Sequence, residues 1–176
     1  MTDTTPLPPT LAGLGVTVYM REALAEAEAA GNAGERPIGA VLVIEGVIVS
    51  RGRACRRSAR SQLMHAEMQA LLNGGDPLWE RYDDAVLFTT VEPCPMCLGT
   101  TVMADVPHVV FALHDAVAGS QRLVETIPYI RRHIRTYYGG VLAAEARDLF
   151  ERFDPALLAY ISNKEGQENG GLQGDD

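Results

Sequence analysis

Ala85-Val86-Leu87-Phe88-Thr89-Thr90-Val91-Glu92-Pro93-Cys94-Pro95-Met96-Cys97 is the stretch on which the fold turns. Its first seven residues are apolar or β-forming, a length that suits a buried strand and falls short of an ordinary helix. Proline has no amide hydrogen to give a helix interior but fits the first turn, so Pro95 predicts a helix that follows the strand at once and runs to about Ala104. Val106 to Leu113 reads as the next strand.

Upstream, Leu63 to Asn73 has helical composition and is stopped by Gly74-Gly75. Ile38 to Ile44 and Val47 to Arg51 flank Glu45-Gly46 as a hairpin. An alanine-rich stretch from Leu11 to about Ala30, capped by Thr10 and broken by Gly31-Asn32, predicts the first helix. Downstream, Val141 to Ile161 predicts a last helix interrupted near Asp154-Pro155. A hairpin followed by strand, helix, strand units implies an α/β fold, a three-layer α/β/α sandwich with a mixed central sheet. We expect one domain over residues 10–162, with residues 1–9 and the acidic, Gly- and Gln-rich residues 163–176 as disordered tails.

With 47% hydrophobic residues in 176, one core can be buried. The net charge of -8 repels phosphate backbones at long range and argues against nonspecific nucleic-acid binding. There is no targeting pattern before Pro9 and no run of membrane-spanning length, so a cytoplasmic protein without membrane attachment is expected.

His65-Ala66-Glu67 and Cys94-Pro95-Met96-Cys97 both stand where the chain enters a helix, and such entrances share a crevice in α/β sheets. One imidazole and two thiolates make a three-ligand zinc site with an open fourth position, the arrangement of catalytic zinc. Helix N-termini favour thiolates there. Glu67, two residues past His65, is the expected proton carrier. Cys94 and Cys97 alone would equally suit a structural zinc or a redox pair. The added His65 and Glu67 favour catalysis, and Cys55 is then a spare thiol.

Together with Arg36-Pro37-Ile38-Gly39-Ala40-Val41-Leu42-Val43 and Val109-Val110-Phe111, these residues form the H-x-E and P-C-x-x-C pattern of the cytidine deaminase-like zinc hydrolases. The chain resembles that superfamily from about Met20 to Phe153, in the branch of tRNA adenosine, guanine and cytosine deaminases. The resemblance implies a bound Zn2+, release of ammonia from an amino-heterocycle, substrate contacts at Pro37, Ile38 and the Ala66 backbone, and a homodimer. It also implies a terminal helix over the pocket, for which Phe150 and Phe153 are candidates. Gly52-Arg53-Ala54-Cys55 stands where the branch carries an asparagine, and Ser61-Gln62-Leu63-Met64 where it carries an Asp-Pro turn.

Arg51, Arg53, Arg56, Arg57 and Arg60 form a basic run beside the expected pocket. A solvated loop is the ordinary explanation; arginine forks on a phosphate or carboxylate are the sharper one, and Arg53 is taken as a substrate contact on that basis. His108, His114 and His133 lack ligand spacing and receive no role. The substrate expected from the net charge is a small nucleobase-type molecule, with tRNA adenosine second and a non-catalytic zinc-bearing module third.

Overall fold

A computed structural model describes residues 11–163. The tail expected at 1–9, Thr10 as a cap, and all but the first residue of the tail expected at 163–176 lie outside the described residues. The strands are β1 Gly39–Ile44, β2 Val47–Arg53, β3 Ala85–Val91, β4 His108–Leu113 and β5 Thr136–Tyr138. They form one sheet in the order β2-β1-β3-β4-β5. β1 runs antiparallel to both β2 and β3, whereas β3 to β4 and β4 to β5 are parallel. This is the mixed sheet expected from a hairpin followed by crossovers. The hairpin turns on Glu45 and Gly46, both at positive φ (49° and 78°), as a two-residue turn between twisted strands requires.

Every residue of β1, β3 and β4 is buried, because helices cover both faces. The period of two sorts their side chains. Val41, Val43, Val86, Phe88, Val110 and Ala112 pack under α1 (Val16–Asn32), α7 (Ala143–Phe153) and α8 (Pro155–Ser162). Ala40, Leu42 and Leu87 pack under α2 (Ala66–Leu72) and α3 (Gly75–Arg81). On that side, too, Val109 and Phe111 meet α4 (Pro95–Met103). The three-layer sandwich is therefore present, and Phe88, Phe111 and Phe150 are its largest fully buried side chains.

Several boundaries differ from expectation for local reasons. α1 begins at Val16, because Gly13 at φ 87° turns the chain ahead of it. α2 begins only after His65, which is extended at ψ 159°. Gly74-Gly75 does not end helical structure; Gly75 at φ 54° redirects the chain into α3. The segment after β4 adds α5 (Gln121–Thr126), α6 (Pro128–His133) and β5, all too short for a periodic signal. The last helix is broken at Asp154, whose carboxylate accepts from the Leu157 amide at 2.9 Å while Pro155 opens α8.

Candidate active site

The site is built by seating α2 and α4 side by side. β2 alternates, so Ser50 and Gly52 face α2 while Arg51 and Arg53 face α1. Ser50 Oγ donates to the Ala70 carbonyl at 2.5 Å, and a side chain at Gly52 would strike the Ala66 carbonyl and the Ala70 amide. Glycine there lets α2 lie directly on the strand. Cys94, at ψ 168°, precedes α4 as His65 precedes α2, and Pro95 occupies the first helical position.

These two entrances bring three ligands together. His65 Nδ1 lies 3.4 Å from Cys97 Sγ and 3.7 Å from Cys94 Sγ, and the two sulfurs are 3.6 Å apart. Tetrahedral zinc with bonds of about 2.3 Å to sulfur and about 2.0 to 2.1 Å to nitrogen spans edges of about 3.8 and 3.6 Å. The triangle fits one face of that tetrahedron. Among the described residues, this is the group of histidine, cysteine and acidic side chains able to hold a metal.

The triangle is electrostatically prepared. Hydrogen bonding from the Cys97 thiol, helped by His65, holds the Cys94 thiol down to about 4 despite its burial. Bonding to Cys94 pushes the Cys97 thiol up, with burial adding to it. The Cys94 sulfur in turn raises His65. Glu67, the second residue of α2, is 4% exposed, and burial raises its carboxyl. Its Oε2 is buried with no hydrogen-bond partner. A polar atom left so beside three soft ligands needs a partner delivered by substrate or water.

A cavity of about 290 Å³ opens on these groups, with Ile38, His65, Glu67 and Cys94 in its wall. Of the expected substrate contacts, Ile38 lines the cavity. Pro37 and Ala66 are buried next to Ile38 and Glu67 without lining the cavity. Arg53 is not there either: strand alternation sends it to α1, where it pairs with Glu26 at 2.9 Å. Phe150 belongs to the core and Phe153 lies against Gly31. The covering residues come instead from α8, as Leu157, Tyr160 and Ile161. Cys55 Sγ accepts from Gln69 Nε2 at 2.9 Å and stays outside the cavity.

Four charged residues that were not assigned to the site also line the cavity: Arg36, Glu92, Asp115 and Arg56, the last named only within the basic run. Glu92 is 5% exposed. It accepts from the amides of Gln121 (2.9 Å) and Asp115 (3.2 Å) and from the Tyr137 hydroxyl (3.4 Å), and it pairs with His114 at 3.5 Å. Burial alone would raise its pKa, but the bonds from His114 and these amides outweigh it and hold the carboxylate below its usual range. Glu92 thus ties the end of β3 to the loop after β4. Only tertiary contact marks it, since an acid after an apolar run is commonplace in sequence.

A catalytic metal triangle, a buried acid and a cavity at helix entrances define a hydrolase of the open-site zinc type. The chain belongs to the family whose model is described as the cytidine and deoxycytidylate deaminase zinc-binding region, which matches residues 16–113 and so includes His65, Glu67, Cys94 and Cys97. A tRNA-specific adenosine deaminase of Streptococcus pyogenes is 37% identical over 141 residues, 78% of this chain and 88% of that protein. A solved tRNA:A34 deaminase shares 29% identity at a TM-score of 0.65, covering 76% of this chain and 99% of its own. The guanine deaminase of Bacillus subtilis shares 29% identity at 0.52, covering 63% and 75%. The chain is a zinc-dependent deaminase with the cytidine deaminase-like fold.

Proposed function

We propose that the enzyme hydrolyses the exocyclic amino group of adenosine carried in an RNA, with tRNA the first candidate, giving inosine and ammonia. Similarity to tRNA-specific adenosine deaminases over most of both chains carries this reading. It reverses the order suggested by the net charge of -8. That number is a sum over the molecule, whereas recognition depends on the groups at the cavity.

His65 Nδ1 and the sulfurs of Cys94 and Cys97 would hold zinc, which, when bound, lowers the pKa of water from about 15.7 to about 7. Ile38 and the α8 side chains would hold the ring against the triangle and exclude bulk water. The Glu67 carboxylate takes one proton of the attacking water and passes it to the ring nitrogen next to the amino-bearing carbon; it then takes the remaining proton of the added hydroxyl and gives it to the amine, which leaves as ammonia as the C–N bond breaks and the carbonyl forms. Its burial suits it to hold that proton between the two transfers.

A small-molecule substrate is the second reading, favoured by the way Leu157, Tyr160 and Ile161 roof the cavity. Ammonia release should be measured on a tRNA, an anticodon hairpin, adenosine, adenine, guanine and cytidine. Inosine formed in the RNA supports the first reading, and turnover of a free base with none in RNA replaces it by the second. The homodimer implied by the resemblance and the cytoplasmic location expected from the sequence belong to this proposal, and a light-scattering mass of one chain would remove the dimer.

A further inference from the structure

Six arginines are paired with carboxylates: Arg21 with Glu145, Arg51 with Glu22, Arg53 with Glu26, Arg81 with Glu45, Arg135 with Asp83 and Arg152 with Glu28. Several other arginines have no such partner among the described residues, and of these Arg36 and Arg56 line the catalytic cavity. The Arg56 Nε is, in addition, buried with no hydrogen-bond partner. The nearby carboxylates are already engaged by backbone amides. Asp115 accepts from Val117 and Ala118, Glu35 from Arg57 and Ser58, and Glu92 from Asp115 and Gln121. Beyond the two arginines lies a second cavity of about 420 Å³, which shares Arg36 and Arg56 with the first and adds Arg60 and Gln62.

A buried donor without an acceptor is costly, and a guanidinium is best satisfied by an anion whose oxygens match its fork. Two guanidiniums from separate segments, one before β1 and one after β2, suit a tetrahedral phosphate, whose free oxygens, two on a diester and three on a monoester, point in different directions. A single fork would already satisfy the two oxygens of a carboxylate. We infer that Arg36 and Arg56 form a subsite for a phosphate attached to the nucleoside whose base enters the zinc cavity. This rests on the proposed reading that the ring belongs to a nucleoside. The phosphate is either a backbone phosphate of RNA or the terminal phosphate of a mononucleotide, and the two sources share this chemistry.

Zinc-loaded Glu67→Gln protein, labelled with nitrogen-15, turns substrate over slowly enough to be titrated and permits a direct test. The Arg56 Nε–H signal, assigned by its loss in Arg56→Lys, is followed during titration with adenosine, adenosine monophosphate, an adenosine-containing RNA hairpin and inorganic phosphate. We expect a saturable shift with the hairpin or the monophosphate and none with adenosine. We also expect about ten- to hundred-fold weaker binding of the phosphate-bearing ligand in Arg36→Gln and Arg56→Gln proteins that retain one zinc. A shift with the hairpin alone assigns a backbone phosphate, and one with the monophosphate assigns a nucleotide. An Arg56 signal unmoved by every phosphate ligand overturns the subsite, even if inosine is formed. A shift with phosphate ligands while no adenine compound is deaminated keeps the subsite and overturns the nucleoside reading instead.

Discussion

Glu67 is buried, raised by that burial, and has one oxygen that no protein group satisfies. Glutamine preserves its shape but cannot exchange a proton. Glu67→Gln should therefore lower deamination by about 10²- to 10⁴-fold while metal analysis still finds zinc in the protein, because the three ligands are untouched. Near-normal ammonia release from that variant would show that another group carries the proton. Glu92 predicts a pH effect on stability. Its folded pKa lies below the ordinary 4.5, so the stability it contributes is fully present above that value and is lost as pH falls through the lower, folded pKa. Glu92→Gln should be less stable than the parent at neutral pH by about 1 to 3 kcal/mol, with the difference shrinking in acid. Urea unfolding from pH 7 down to 3 measures both, and a gap that widened in acid would contradict the assignment.

At the level of elements, the seating of α2 on β2 decides whether His65 reaches the cysteines. A methyl at Gly52 would meet the Ala66 carbonyl and the Ala70 amide, backbone atoms that can yield only by moving the helix. Gly52→Ala should cost about 1 to 3 kcal/mol and weaken zinc binding in chelator competition, although position 52 touches no metal. Gly99 in α4 is the control, since an added methyl there would meet nothing within 4 Å. Gly99→Ala should be neutral or more stable by up to about 1 kcal/mol, with zinc affinity unchanged. Equal behaviour of the two variants would show that the helix-to-strand contact does not set the site.

For the molecule as a whole, the distribution of charge matters more than its total. Paired arginines lie on the outer faces, while Arg36 and Arg56 face the cavity. If RNA is the substrate, kcat/KM should fall with salt, with a log-log slope of about -0.7 for each phosphate contacted on a single strand. The overall negative charge should keep nonspecific binding weak. Steady-state rates at low and moderate salt check this. A rate on RNA that does not change with salt would separate recognition from phosphate contact.

His65, Glu67, Cys94 and Cys97 were legible in the sequence because ligand chemistry and helix entry coincide at fixed local spacing, and the entry signals are local too. The same holds for β1, β3, β4 and the break at Asp154-Pro155, where alternation, β-branching and proline act within a few residues. Arg53 was misplaced because composition shows a basic run but not which face of β2 each arginine takes; alternation against α1 and α2 decides that. β5, α5 and α6 were missed because three- and six-residue elements are held by what they pack against. Local chemistry thus made the metal triangle and its acid visible in the chain itself. Which arginines remain unpaired at the cavity, which end of the last helix roofs it, and how Glu92 joins β3 to the loop after β4 were decided only by tertiary structure, because each depends on partners distant in sequence.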